Sequence, residues 1–285
     1  MKRYRILHQT SYEFSSSVQL QPHTLRLRPR EGHEMHIESS ALNIEPSAML
    51  RWHRDSEGNS VAVASFSSPS NRLFIESDIT IQQYNQAPLD FMVTDYAQYF
   101  PFAYLPEDNI MLQPYLSVAG DSVNSEMSSW MSTLWHPGET IQTYSLLERL
   151  NQRVHEALNY QMREEPGVQS AEQSLYRRAG SCRDSANLFM ESARRLGFAS
   201  RFVSGYIYAP NAAATPGSTH AWAEIFLPGA GWKGFDPTTG RIVGSEHIAV
   251  AVARQPESVP PVEGSYFGNA GATMQVGVWV NELLA

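Results

Sequence analysis

The sequence predicts an α+β fold: an N-terminal antiparallel β-sandwich, then a helical run packed on a second antiparallel sheet. Three observations carry this. Short runs of alternating apolar and polar residues fill the chain from Tyr4 to about Tyr84, apolar residues at helical spacing begin only near Ser145, and strand patterns return after Leu196. Strand and helix runs that are segregated in this way favour α+β over a parallel doubly wound sheet. At 285 residues and 42% hydrophobic, the chain can bury two cores. We divide it into a β-sandwich domain at 1–85, a connecting segment at 86–140, and a second domain at 141–285 that includes a C-terminal strand.

Within the first domain, Leu25-Arg26-Leu27-Arg28, Val61 to Phe66 and Ile79-Thr80-Ile81 read as strands. Ser56-Glu57-Gly58-Asn59 between two such runs has the chemistry of a hairpin turn and reads as a plain surface turn. From Gln86 to Thr140 the chain is richer in Pro, Tyr and Phe, as in Phe100-Pro101-Phe102, which predicts an irregular connection that still packs apolar side chains.

Ser145-x-x-Glu148 has the form of a capping box, and Leu146, Leu150, Val154, Ala157 and Leu158 follow at helical spacing, so one amphipathic helix runs to about Leu158. A second helix starts after Ser170, with Gln173 three residues on, and ends at Gly180, where a positive φ is expected. The third leads with Cys182. Its seam is Cys182, Ala186, Phe189, Ala193 and Leu196, with Gly197 as the C-cap. Arg201 to Tyr208 follows as a strand, Pro210 to Ser218 as a loop, and Ala221 to Leu227 with Trp232 to Phe235 as a hairpin. A Pro-rich and Gly-rich loop from Pro256 to Asn269, which could border a site, precedes a last strand at Met274 to Val280.

Several function classes are excluded. A formal net charge of −8 with no basic run leaves nothing to neutralise a phosphate backbone, so nucleic acid is not expected as a partner. No segment has the length of a membrane span, and the polar residues after Met1 interrupt any signal peptide, so the expected location is cytoplasmic. One cysteine permits neither an intrachain disulfide nor a cysteine zinc cluster. His33-Glu34-Met35-His36 lacks the His-Glu-x-x-His spacing, and His8, His23, His53, His136, His155 and His247 are scattered, so they read as surface or partly packed residues and no metal is expected.

Cys182 stands at a helix N-terminus, where unpaired N–H groups and the helix dipole favour a thiolate. Alone it would read as an inert packing residue. A nucleophile needs a base, and the base needs an orienting group. Side chains alternate across a strand, so His220, Trp222 and Glu224 share a face, as do Trp232, Gly234 and Asp236. Pairing His220 opposite Asp236, or shifted by two, puts both on one side. The Cys182 N–H is a natural oxyanion donor. Tyr160 and Trp222 read as packing residues, and Asp184 as a structural cap of the helix.

Gly180-Ser181-Cys182-Arg183-Asp184-Ser185-Ala186, Thr219-His220-Ala221-Trp222-Ala223-Glu224 and Gly234-Phe235-Asp236-Pro237-Thr238 resemble the transglutaminase-like superfamily. The Tyr4 to Thr10 stretch and Leu25 to Arg30 resemble the N-terminal region of its bacterial members. The resemblance implies a papain-like core with a Cys182, His220, Asp236 triad. It implies thiol-dependent cleavage or acyl transfer at a carboxamide, peptide or isopeptide bond through a thioester. The substrate is then a peptide or protein carboxamide, and the chemistry needs no cofactor. The alternative is a catalytically silent peptide-binding or protein-binding module on the same scaffold.

Overall fold

A computed structural model describes the whole chain except residues 85–86, 119–124, 164, 166, 211–218 and 284–285. The predicted Pro210 to Ser218 loop thus falls almost entirely outside the described residues. The fold is α+β with antiparallel sheets, as expected.

The N-terminal half holds β1 (Lys2–Leu20), β2 (His23–Leu25), β3 (Met35–Glu45), β4 (Met49–Arg54), β5 (Ser60–Ser65) and β6 (Ser70–Gln83). In one sheet β1 is flanked by β6, with β3 beyond it; in the other β5 lies between β2 and β4. Even-numbered residues of β1, among them Tyr4, Ile6, His8, Thr10, Phe14, Val18 and Leu20, are buried along one face, as a half-buried strand requires. Toward its end that face packs on the second sheet of the sandwich, with Phe14, Val18 and Leu20 against Leu25, Ala62 and Ala64. Toward its start it serves a different purpose, described below.

Next come β7 (Tyr99–Phe100), α1 (Pro106–Leu116), α2 (Ser125–Ser132), β8 (Ile141–Gln142), α3 (Thr143–Ala157), β9 (Asn159–Tyr160), α4 (Ala171–Arg177), β10 (Ala179–Gly180) and α5 (Cys182–Arg195). A further five-stranded antiparallel sheet follows: β11 (Ser200–Ile207), β12 (His220–Leu227), β13 (Gly231–Asp236), β14 (Arg241–Ile242) and β15 (His247–Ala253), in the order β14-β13-β12-β11-β15. α5 packs on this sheet through Ala186, Phe189 and Ala193 against Ala223, Ile225 and Phe235. Phe100, Met127 and Leu134 join the same core, so the 86–140 segment packs around α5 as well as connecting.

Four local expectations are corrected. α3 begins at Thr143, whose N–H donates to Gln98 O and whose hydroxyl donates to Ala97 O; these tertiary ties start the helix two residues before the expected Ser145 capping box. Asn59 is fully buried rather than part of a surface turn, because its side chain pairs with the backbone of Val252. The Pro256 to Asn269 segment is not a plain loop. It forms β16 (Val262–Glu263) and β17 (Tyr266–Phe267), which pair with β2 and β1. The final strand, β18 (Ala272–Leu283), pairs with β1 from Phe14↔Ala272 to Arg3↔Leu283, so residues 260–283 complete the N-terminal sheets and not the second domain.

That return explains the start of β1. Tyr4 and Ile6 of β1, Ile79 and Ile81 of β6, and Val278 and Val280 of β18 form one apolar cluster with Tyr206 of β11 and Ile248 and Val250 of β15. Among the described residues no helix is long and apolar enough to cross a membrane.

Candidate active site

The start of α5 is built by Asp184. Ser181 precedes the helix in extended conformation. The Ser181 N–H (2.8 Å) and hydroxyl (2.9 Å) both donate to Asp184 Oδ2, the reciprocal tie that fixes a helix entry. The Gln169 N–H (2.7 Å) and the Arg163 guanidinium (2.7 Å) donate to Asp184 Oδ1. Burial works to raise the Asp184 pKa, but these backbone and side-chain donors hold it below the usual carboxylate range. The Arg163 charge also offsets the field Asp184 would impose on the neighbouring sulfur.

Gly180 owes its identity to this arrangement and not to a positive φ, which was the sequence expectation. The left-handed residue that ends α4 is Arg178, at φ 51°. At Gly180 an added Cβ would sit 2.8 Å from Asp184 Cβ, so a side chain there would push against the carboxylate that holds the helix start. Gly180 pairs in parallel with Tyr160. Tyr160 was expected to pack; it is 53% exposed. Burial and the nearby Cys182 both raise its pKa.

Cys182 opens α5 and is 9% exposed. The β12–β13 hairpin pairs Ala223 with Phe235 and Glu224 with Gly234, a register that sets Asp236 opposite Trp222 and diagonal to His220. This is the two-residue shift considered from parity. His220 Nε2 donates to Asp236 Oδ2 at 2.9 Å, and Cys182 is near enough to the same ring to raise its pKa. With Nε2 engaged by the carboxylate, Nδ1 is the nitrogen left for the sulfur. Of the three residues that the sequence singled out, His220 and Asp236 are hydrogen-bonded and Cys182 lies near the His220 ring.

Burial opposes the imidazolium, but the hydrogen bond to Asp236 and the influence of both Asp236 and the nearby Cys182 overcome it and push His220 up to about 10. Asp236 is fully buried. Burial alone would raise its pKa, yet hydrogen bonds from the two neighbouring imidazoles, His220 and His247, hold it far below the ordinary range. The Thr238 N–H donates to Asp236 Oδ1 at 3.0 Å.

His247 is the residue that sequence reasoning missed. It is buried on β15, and its Nε2 lies 3.1 Å from Asp236 Oδ2. Trp222 lies against both imidazoles, 6.1 Å from His220 and 5.2 Å from His247 between ring centroids. The indole fits there because Gly205 has no side chain: a Cβ would meet its ring at 2.7 Å and would also strike Ile248 O. Trp222 is therefore the packing residue expected of it.

His220, Asp236 and His247 offer three potential metal-ligand atoms within 4.8 Å of one another. The contacts among them are hydrogen-bond distances, and a cation there would have to displace the protons now donated to Asp236.

A helix that leads with cysteine, packed on an antiparallel sheet that supplies histidine and aspartate from adjacent strands, defines a transglutaminase-like core with the papain-like arrangement. Residues 138–237 match the transglutaminase-like superfamily, and residues 4–82 match the bacterial transglutaminase-like N-terminal region. Over the full length the chain is similar to an uncharacterized protein of Mycobacterium leprae, 24% identical over 99% of this chain and 100% of that protein. An uncharacterized protein of Mycobacterium bovis is 25% identical over 94% of this chain and 88% of that protein. Among solved structures, a protein from Cytophaga hutchinsonii named "putative cysteine protease" shares the fold, with a TM-score of 0.73 at 19% identity, covering 100% of this chain and 91% of that one.

Proposed function

We propose that this protein is a thiol enzyme that cleaves a peptide or isopeptide carboxamide through a thioester on Cys182. One observation carries the reading: the His220 imidazole is hydrogen-bonded to the buried Asp236 carboxylate while Cys182, at the start of α5, lies close enough to act on the same ring. That is the geometry in which a base takes a thiol proton, stays oriented, and returns the proton to a leaving group.

In the proposed cycle the Cys182 thiol first gives its proton to His220 Nδ1, leaving the imidazolium that Asp236 favours, and Sγ then bonds to the carbonyl carbon as the thiolate. The C–N bond then breaks, and the amine leaves with that proton. Water attacks the thioester with His220 as base, releasing the acid and restoring the thiol. An amine in place of water would give transamidation. The Cys182 N–H, at the first turn of α5 where intrahelical partners are missing, is the first oxyanion donor. The Tyr160 hydroxyl, on the strand beside Gly180, is the candidate for the second.

Two measurements test this. Native protein incubated with peptide and amine libraries should yield a thioester adduct on Cys182 by mass spectrometry, and Cys182→Ala should abolish turnover while keeping the fold. Iodoacetamide should alkylate native Cys182 rapidly well below pH 8.5, roughly the pKa of a free thiol. Turnover that persists in Cys182→Ala would overturn the mechanism. An alkylation profile of an ordinary thiol would point to a silent binding module instead.

A further inference from the structure

Asp236 serves two histidines, and the reading above uses only one. Nε2 of His220 and Nε2 of His247 both lie at hydrogen-bond distance from the same oxygen, Oδ2, at 2.9 and 3.1 Å. The tautomer of His247 is fixed from its far side, because the Gly244 N–H donates to His247 Nδ1 at 3.2 Å. A ring that accepts at Nδ1 must carry its proton on Nε2. That N–H therefore points at the carboxylate. The ring is further held by its backbone, which donates from His247 N to Gly244 O at 3.0 Å, and by the edge-on contact with Trp222.

We propose that His247 is a positioning residue for this site: its Nε2–H, aimed by the Gly244 amide, anchors the Asp236 carboxylate so that Asp236 in turn orients His220 toward Cys182. A buried carboxylate held by one imidazole could rotate about its Cβ–Cγ bond or take up a proton. Here two donors meet at Oδ2 and the Thr238 amide meets Oδ1, so both oxygens are pinned. The charged and titratable groups around the His247 ring are Asp236 on β13, His220 on β12 and the adjacent Glu246, itself paired with Lys2 of β1 at 3.5 Å. This inference rests on the proposed role of Cys182 and extends it to a fourth side chain.

The test compares the pH dependence of iodoacetamide alkylation at Cys182 in the native protein, His247→Phe and His247→Gln. Phenylalanine keeps the ring's bulk and removes the donor, so the Asp236 carboxylate is less firmly held and stabilises the His220 imidazolium beside Cys182 less well. The acid limb of the alkylation profile should move up by about one pH unit, the scale of one hydrogen bond to a charged group. Glutamine can place an amide N–H near the position of Nε2 and should restore most of the shift. Superimposable profiles for native protein and His247→Phe, with unchanged circular dichroism, would overturn the proposal. So would a Gln variant displaced as far as the Phe variant.

Long-range 1H–15N spectra of native protein with labelled histidines provide a reading that does not depend on any variant folding. They should show His247 as the Nε2–H tautomer, and an Nδ1–H tautomer would overturn the proposal. If native Cys182 reacts as an ordinary thiol, the enzymatic reading fails, while the tautomer measurement still decides whether His247 anchors Asp236.

Discussion

Three N–H groups, from His220, His247 and Thr238, converge on the Asp236 carboxylate and together offset the cost of burying its charge. Replacing Asp236 with Asn keeps the shape but removes the charge that holds His220 protonated and aligned. We expect Asp236→Asn to lower turnover by about two to four orders of magnitude; an unchanged rate would reduce Asp236 to a turn residue. The same pair sets a stability window. The folded pKa of Asp236 lies below its ordinary 3.8, so its contribution is present above that value and is lost as the pH falls. His220, raised from 6.5 to about 10, contributes fully below 6.5 and loses its contribution as the pH rises toward 10. The melting-temperature gap between native protein and Asp236→Asn should therefore be widest between about pH 4 and 6.5 and should shrink toward pH 10. A gap that does not change with pH would mean the pair adds no net stability. The helix start at Cys182 and the pairing of His220 with Asp236 were legible in the sequence because a helix start and matched strand parity are local patterns. His247 was not, because it lies on β15, which pairs with β11 and touches the hairpin only through side chains. No spacing rule encodes that contact.

At the scale of elements, the placement of sulfur depends on how α5 begins. The β10 to α5 junction leaves no room at Gly180, where a methyl group would approach Asp184 Cβ to 2.8 Å. Asp184 cannot yield without loosening its bonds to Ser181, Gln169 and Arg163. Gly180→Ala should cost about 1 to 3 kcal/mol in denaturant unfolding, the scale of overpacking a tight site. It should also slow Cys182 alkylation at pH 6, since the helix entry that presents the sulfur shifts. A variant of native stability and reactivity would show that the junction has slack. The sequence marked Gly180 as a break between two helices but gave the wrong reason for it. A positive φ and a close approach both select glycine, and only the second needs to know where Asp184 lies. The start of α3 shows the same limit: Ser145 and Glu148 satisfy the capping pattern, but contacts from Gln98 and Ala97 set the boundary at Thr143.

Across the whole molecule, the chain finishes where it began, with β18 laid along β1, and the shared apolar cluster of β1, β6 and β18 against Tyr206, Ile248 and Val250 joins the two halves. Alternation showed that β18 is a strand; its partner, more than 250 residues earlier in the chain, left no trace in any local window. Asn59 is the polar part of the same junction. It donates to Val252 O at 2.8 Å, accepts from Val252 N at 2.9 Å, and is steadied by Asp55 at 2.9 Å and by Arg30 at 2.6 Å. In effect its amide continues the sheet edge at β15, the strand that also carries His247. Asn59→Ala would leave a buried backbone N–H and C=O of Val252 without their partners, at about 1 to 3 kcal/mol each. We expect chemical denaturation to show a loss of about 2 to 4 kcal/mol for Asn59→Ala. Tryptophan fluorescence, which reads Trp52 and Trp279 in the N-terminal sheets as well as Trp222 and Trp232 in the β11–β15 sheet, should move together with far-ultraviolet circular dichroism. Coincident transitions would show that the interface makes the chain one cooperative unit. Two separated transitions, or a loss under about 0.5 kcal/mol, would mean that the halves fold independently and that the N-terminal sheets do not hold β15 in place beneath Asp236.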